Sequence, residues 1–94
     1  MNIDEKFKIK MVSLGSLGYS FSQSVNILDV SDSDLEGFKS EWSNPNSEVA
    51  KCYLKGIDQR DYAIDLKLYQ KAVGGDLKAL EAFERRTHQR KSRS

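Results

Sequence analysis

The chain has 94 residues, with 15 Lys and Arg against 14 Asp and Glu, one Pro and one Cys. This length suits one domain of ordinary size and excludes a substrate domain beside a separate cofactor domain. A hydrophobic content of 38% with 31% charged residues excludes a disordered chain, and no run approaches the ~18 apolar residues of a membrane span. We expect a cytoplasmic protein, because a single cysteine is typical of a reducing compartment.

The net charge of +1 hides an uneven distribution along the chain. Residues 13–48 hold six acids against the single base Lys39, whereas residues 76–94 hold six bases and three acids. From Arg85 onward there are five bases and no acid. This asymmetry indicates a basic arm on an otherwise neutral body.

Apolar residues recur at helical spacing along most of the chain, so the sequence predicts an all-α fold. The first helix is predicted over residues 4–14, with Phe7, Met11 and Leu14 on one side. Gly15 and Gly18 follow and are expected to weaken and end this helix, since glycine favours helix C-termini.

Two short helices are predicted next, each opened by a serine. Ser20 with Gln23 has the form of a capping box, in which each side chain satisfies a backbone N–H of the first turn. Ser31 with Asp34 repeats the device, and Asp29 stands in the connecting turn where glycine is most frequent. Together the helices predict a helix-turn-helix unit over residues 1–43. Its expected inward residues are Phe21, Val25, Leu28, Val30, Leu35, Phe38 and Trp42.

Residues 44–90 are predicted to form a helical hairpin. Ser47 caps a long helix that extends to about Val73, and Gly56 inside it is a candidate kink that costs roughly 1 kcal/mol relative to alanine. Gly74-Gly75 end this helix, and Asp76 caps a last helix over about 77–90. A two-glycine connection of this kind predicts an antiparallel pair of helices. Residues 91–94 are expected to fray as a basic tail.

The second half of the long helix is apolar on two opposed sides. Ile64, Leu68 and Ala72 continue the side that begins with Val49, whereas Tyr62, Leu66, Tyr69 and Val73 lie nearly opposite. Two apolar sides must both be covered, and the last helix can cover only one. We therefore expect a homo-oligomer, and a compact five-helix monomer remains the alternative. The expected interface comprises Tyr62, Leu66, Tyr69, Val73, Leu77, Leu80 and Phe83.

These motifs, in this order, resemble the small terminase subunits of tailed phages and prophages. The resemblance rests on Leu17-Gly18-Tyr19-Ser20, on Ile64-Asp65-Leu66 in the long helix and on the turn Ala72-Val73-Gly74-Gly75-Asp76 with Ala79 beyond it. It covers about residues 7–86. The family implies a ring-forming, non-catalytic protein that recognises viral double-stranded DNA and passes it to the large terminase subunit, an ATPase and nuclease.

The second helix of the predicted helix-turn-helix departs from a usual DNA reader. Its first turn carries Asp32 and Asp34, with Glu36 just beyond, and negative charge there repels the phosphate backbone. Acids at a helix start also stabilise the helix dipole, which is the purely structural interpretation. The candidate DNA-binding residues are therefore Lys6, Lys8, Lys10, Lys39, Arg85, Arg86, Arg90, Lys91 and Arg93. The basic end has its own alternative, namely complementing the dipole of the last helix.

Residues for catalysis or cofactor binding are sparse, so we expect a protein that is not an enzyme and needs no cofactor or metal. His88 is the single histidine and Cys52 the single cysteine, so neither has a second member for a site. Asp58, Asp61 and Asp65 share one helix face and could collect a cation or form salt links. A small transcription regulator and a helical protein-interaction adaptor are the two alternative functions.

Overall fold

The computed structural model describes residues 2–93, with side chains up to Lys91. These residues form five helices and no strand, which confirms the all-α prediction. The helices are α1 (Glu5–Leu17), α2 (Phe21–Leu28), α3 (Asp32–Ser43), α4 (Glu48–Val73) and α5 (Leu77–Arg93). No helix in the described part of the chain is long and apolar enough to cross a membrane.

The start of α1 agrees with the sequence, but its end does not. The Asp4 side chain accepts the Phe7 N–H at 2.8 Å and caps the helix. The prediction that the helix stops near residue 14 is wrong, since α1 continues through Gly15 to Leu17. Gly18 ends it with a left-handed backbone, φ 75°, a conformation that glycine adopts without steric cost.

The two serine caps differ. Ser20 and Gln23 form the predicted capping box, with hydrogen bonds of 3.2 and 3.0 Å. Ser31 caps α3 by position but makes no side-chain cap bond. Its hydroxyl lies 3.1 Å from that of Ser33, and the Asp34 N–H donates to the Ser31 carbonyl instead. The turn between α2 and α3 contains Asp29 at φ 55°, in the left-handed region that Asp tolerates better than most residues.

The first of two compact units, Met1–Arg60, has an aromatic core. Met11, Leu14, Phe38 and Val49 are its buried hydrophobic residues among those described. The Phe38 ring stacks on Phe21 at 5.5 Å and meets Trp42 at 5.9 Å. Phe38 also meets Phe7 at 6.3 Å and Trp42 meets Tyr53 at 4.6 Å, which ties α3 to α1 and α4. All of the predicted inward residues except Leu35 belong to this core or pack against it, and Leu35 is partly buried.

Two glycines bring α1 and α4 unusually close together. A Cβ built on Gly15 would lie 2.0 Å from the Tyr53 carbonyl oxygen, and one on Gly56 would lie 1.9 Å from the Val12 carbonyl oxygen. At the same crossing the Ser16 hydroxyl donates to the Gly56 carbonyl at 3.1 Å. Gly56 thus permits close backbone contact inside an uninterrupted helix.

The second unit, Asp61–Ser94, contains the end of α4 and α5. The chain turns at Gly74–Asp76, and Asp76 accepts the Ala79 N–H at 3.0 Å as the predicted cap of α5. Tyr69 meets Phe83 with ring centres 5.6 Å apart. The expected fraying from residue 91 is not observed, because α5 extends to Arg93; Ser94 lies outside the described residues. The compact units divide at residues 60 and 61, within α4, whereas the sequence division was at 43 and 44.

Candidate functional site

The three lysines of α1 do not share one surface. At 100° per residue, Lys6 and Lys10 lie about 40° apart and Lys8 lies far from both. Lys6 and Lys10 are exposed, whereas the partly buried Lys8 lies 3.7 Å from Glu5. Lys39 is exposed on α3. The α1 candidates therefore divide into an outward pair and one lysine that faces a neighbouring helix.

Arg86 and Arg90 of the predicted basic end are held by carboxylates of α4. The Arg86 guanidinium donates to Asp65 at 2.5 Å and lies 3.4 Å from Asp61. Arg90 also pairs with Asp65, whose side chain is only 15% exposed. The hydrogen bond to Asp65 raises the pKa of Arg86, so its charge is fixed. These contacts confirm the salt-link interpretation for Asp61 and Asp65.

The remaining cations of the basic end are Arg85, Lys91 and Arg93. Arg85 and Lys91 are exposed on α5. Arg93 is the last residue of that helix, and its side chain lies outside the described part. Arg86 is paired with two carboxylates, so much of its charge is compensated and its attraction for phosphate is reduced. The basic end therefore carries less uncompensated positive charge than the sequence suggests.

A groove between α1 and the start of α4 is lined by Lys8 and by two further cations. We call it the lysine groove; it is open, has a volume of about 350 Å³ and lies within the first unit. Its lining comprises Ile9, Val12 and Cys52, the cations Lys8, Lys51 and Lys55, and the acids Glu5 and Glu48. Both acids stand in the first turn of a helix, where the helix dipole favours negative charge.

Sequence reasoning missed this groove. The four-residue spacing of Lys51 and Lys55 places them on one side of α4. The sequence alone indicates that this side is polar. Its other wall comes from α1, and no sequence pattern indicates that Gly15 and Gly56 bring the two helices together. The groove therefore depends on a tertiary contact.

The predicted oligomer interface is exposed along α4. Seven of the eleven exposed large hydrophobic residues in the described chain belong to the second unit. Tyr62, Leu66, Tyr69 and Val73 follow spacings of 4, 3 and 4 and are 68%, 41%, 52% and 70% exposed. This is the spacing of a coiled-coil seam. We call these four residues, with the exposed Leu77 and Leu80 of α5, the apolar stripe.

The last helix covers α4 through Phe83, one of the predicted interface residues, and through residues outside that predicted set. Ala79 is buried, and Ala82, Phe83 and Arg86 are partly buried, whereas Leu77 is 73% exposed. The side of α4 that is partly buried includes Asp61, Asp65, Leu68 and Ala72. Of the predicted interface residues, Phe83 therefore packs within its own unit, and the others remain accessible to a partner.

The described residues contain no group of three or more His, Cys, Asp or Glu positioned to hold a metal ion. Cys52 is partly buried in the lysine groove, and His88 is exposed on α5. The surfaces on which function can be argued are therefore the exposed cations, the lysine groove and the apolar stripe.

Comparisons with protein-family models, with curated proteins and with solved structures gave no significant match.

Proposed function

We propose that the chain is a non-catalytic, homo-oligomeric DNA-packaging protein of the small-terminase type, which binds double-stranded DNA and presents it to the large terminase subunit. The observation that carries this proposal is the apolar stripe. Monomeric proteins rarely leave contiguous large hydrophobic residues in water, and such patches mark interaction sites. Side-by-side packing of α4–α5 hairpins, with a ring as the closed form, would bury the stripe and repeat the first unit around the assembly.

The first unit supports a role in DNA binding. Its α2 and α3 are joined by a short turn with a left-handed residue, Asp29, as in a helix-turn-helix. Because the first turn of α3 contains Asp32 and Asp34, the proposal does not place α3 in the major groove. Repetition of the exposed cations by several copies would instead provide an extended positive surface, and phosphate contacts supply most non-specific affinity.

The turn that underlies the resemblance has a well-defined local geometry. Gly75 has φ 100°, a backbone that only glycine adopts readily. Asp76 caps α5, and Ala79, 5% exposed, packs where a larger side chain would separate the helices. These features support the assignment of Gly74–Ala79 as the turn of an oligomerising hairpin.

The second candidate is an oligomeric adaptor that binds another protein and no DNA. The acidic start of α3 favours it, since the exposed carboxylates of Asp32 and Glu36 would attract a basic protein surface and repel phosphate. The adaptor and the packaging protein share the apolar stripe. DNA binding is therefore the property that separates them.

A duplex-binding assay with the full chain tests the proposal. We expect binding of several copies per duplex, measured by fluorescence anisotropy and sedimentation, with affinity that falls steeply as salt rises. Two variants locate the surface: Lys6→Gln with Lys10→Gln, and Arg85→Gln with Lys91→Gln. Lys67→Gln, an exposed lysine outside the predicted set, is the control. Absence of duplex binding at low salt by an oligomeric protein would reject packaging and leave the adaptor.

Direct binding to the large subunit is the second test. The proposal requires that a large terminase protein encoded beside this chain binds it in purified form, with DNA increasing the affinity. A neighbouring gene of another kind, or no binding between the purified proteins, would contradict the packaging role even where duplex DNA is bound.

A further inference from the structure

We propose that the lysine groove of one copy binds the acidic end of α2–α3 of a second copy, as a contact separate from the apolar stripe. We call that end the acidic tip and define it by Ile27, Asp29 and Asp32. The inference rests on the self-association included in the proposed function. It deepens that proposal by naming a second pair of surfaces through which copies meet.

Each surface contains an exposed isoleucine among charges of one predominant sign. Ile9 in the groove is 65% exposed, and Ile27 at the tip is 50% exposed. Half or more of each side chain is therefore left uncovered within one chain. Burying both on each other would remove apolar area from water, which is favourable at roughly 25 cal/mol per Å².

The charges around the two isoleucines are complementary. Lys8, Lys51 and Lys55 line the groove beside Ile9. Asp29 and Asp32 are exposed and follow the exposed Ile27 by two and five residues along the chain. Lys8 lies 3.7 Å from Glu5 within the groove, so the positive charge offered to a partner comes mainly from Lys51 and Lys55 of α4. The other acid, Glu48, lies in the first turn of α4, where the helix dipole favours negative charge.

The shapes also correspond. The groove is concave, with Val12 and Cys52 beside Ile9, and its small volume suits one or two side chains of a protruding turn. The tip lies at the exposed turn between α2 and α3, where Asp29 adopts a left-handed backbone directly after the last residue of α2. Two different patches meet in this contact, so a single groove–tip contact leaves a free groove on one copy and a free tip on the other, where further copies can add.

Cys52 is a built-in reporter of the groove. It is the single cysteine of the chain and partly buried in the groove wall, so an occupant would shield it. The probe is iodoacetamide, a neutral reagent, and the measurement is the alkylation rate of Cys52 in the full chain against protein concentration. We expect the rate to fall about tenfold as the contact saturates by mass action, and to recover near 1 M salt, where the screening length is about 3 Å.

Charge reversal identifies the occupant. Lys55→Glu and Asp32→Lys should each abolish the concentration dependence, and the double variant in one chain should restore it. An equimolar mixture of the two single variants should also regain shielding, because one reversed groove then meets one reversed tip. Lys78→Glu, an exposed lysine of α5, is the matched control and should behave as wild type. The concentration dependence is compared rather than the absolute rate, since a nearby charge also changes the thiolate fraction.

The outcomes separate this inference from the proposed function. A chain that is oligomeric by light scattering but whose Cys52 rate is independent of concentration overturns the groove contact and leaves self-association intact. Shielding of Cys52 by added duplex DNA and not by added protein also overturns it, because the groove would then be a nucleic-acid surface. Double variants that fail to regain shielding while melting like wild type would overturn the pairing of these residues.

Discussion

Replacement of Gly56 by alanine tests how closely α1 and α4 pack. The new Cβ would lie 1.9 Å from the Val12 carbonyl oxygen and 2.7 Å from the Ser16 nitrogen. Both atoms are backbone, so no side-chain rotation relieves the overlap. Ordinary van der Waals contact begins near 3.4 Å, so α1 would have to move by about 1.5 Å.

The cost of Gly56→Ala can be worked out from these contacts. Overpacking a close crossing costs about 1–3 kcal/mol, and the shift breaks the Ser16–Gly56 hydrogen bond, worth about 1 kcal/mol. The gain in helix propensity from glycine to alanine returns at most about 1 kcal/mol. We expect a net destabilisation of about 1–3 kcal/mol.

Gly37→Ala is the matched control. Gly37 also lies inside a helix, but a Cβ there would have no heavy atom within 4 Å. It should stabilise the protein by about 0.5–1 kcal/mol, through propensity alone. The assay is urea unfolding followed by circular dichroism, with all proteins at one concentration because self-association adds to apparent stability. If Gly56→Ala is as stable as wild type, the close crossing is incorrect.

Two further predictions concern single contacts. Asp65→Asn should destabilise the second unit by about 1 kcal/mol, since Arg86 and Arg90 lose a charged partner that is partly screened by solvent. Thermal melts at low and high salt measure this destabilisation. An equal effect at both salts would contradict an ionic origin. Tyr53→Phe should lower the free energy of unfolding by about 1 kcal/mol, because the Tyr53 hydroxyl donates to the Tyr19 carbonyl at 2.6 Å. Tyr62→Phe, at an exposed tyrosine, should leave the free energy of unfolding in urea unchanged. Equal stability of the two tyrosine variants would refute the assignment.

Local signals explain why much of the fold could be predicted from the sequence. Capping residues act within one turn, so Ser20 with Gln23 and Asp76 were identified correctly. The failed cap at Ser31 shows the limit, because a neighbouring hydroxyl of Ser33 competes for the same group. Gly15 was misread as a helix end, since its role lies in a contact with the distant Tyr53.

The surfaces were harder to predict than the helices. The apolar stripe followed from spacing alone, because side chains at intervals of 4, 3 and 4 share one side of a helix. The sequence did not indicate which cations of the basic end pair with acids of the same chain, since Asp65 and Arg86 are 21 residues apart in sequence. The lysine groove likewise depends on how α1 meets α4. A sequence indicates which positions carry cations, but only the tertiary structure indicates which of those cations are paired with acids.

The molar mass of the full chain in solution tests the central claim, that the apolar stripe is covered by further copies. Light scattering should give a multiple of 10.7 kDa for wild type, and a much lower mass for Leu66→Asp, which places a charge within the stripe. Leu54→Asp alters a leucine of α4 that is also exposed but lies outside the stripe, and should keep the wild-type mass. A wild-type mass of 10.7 kDa at every concentration, or equal masses for the two aspartate variants, would contradict the account.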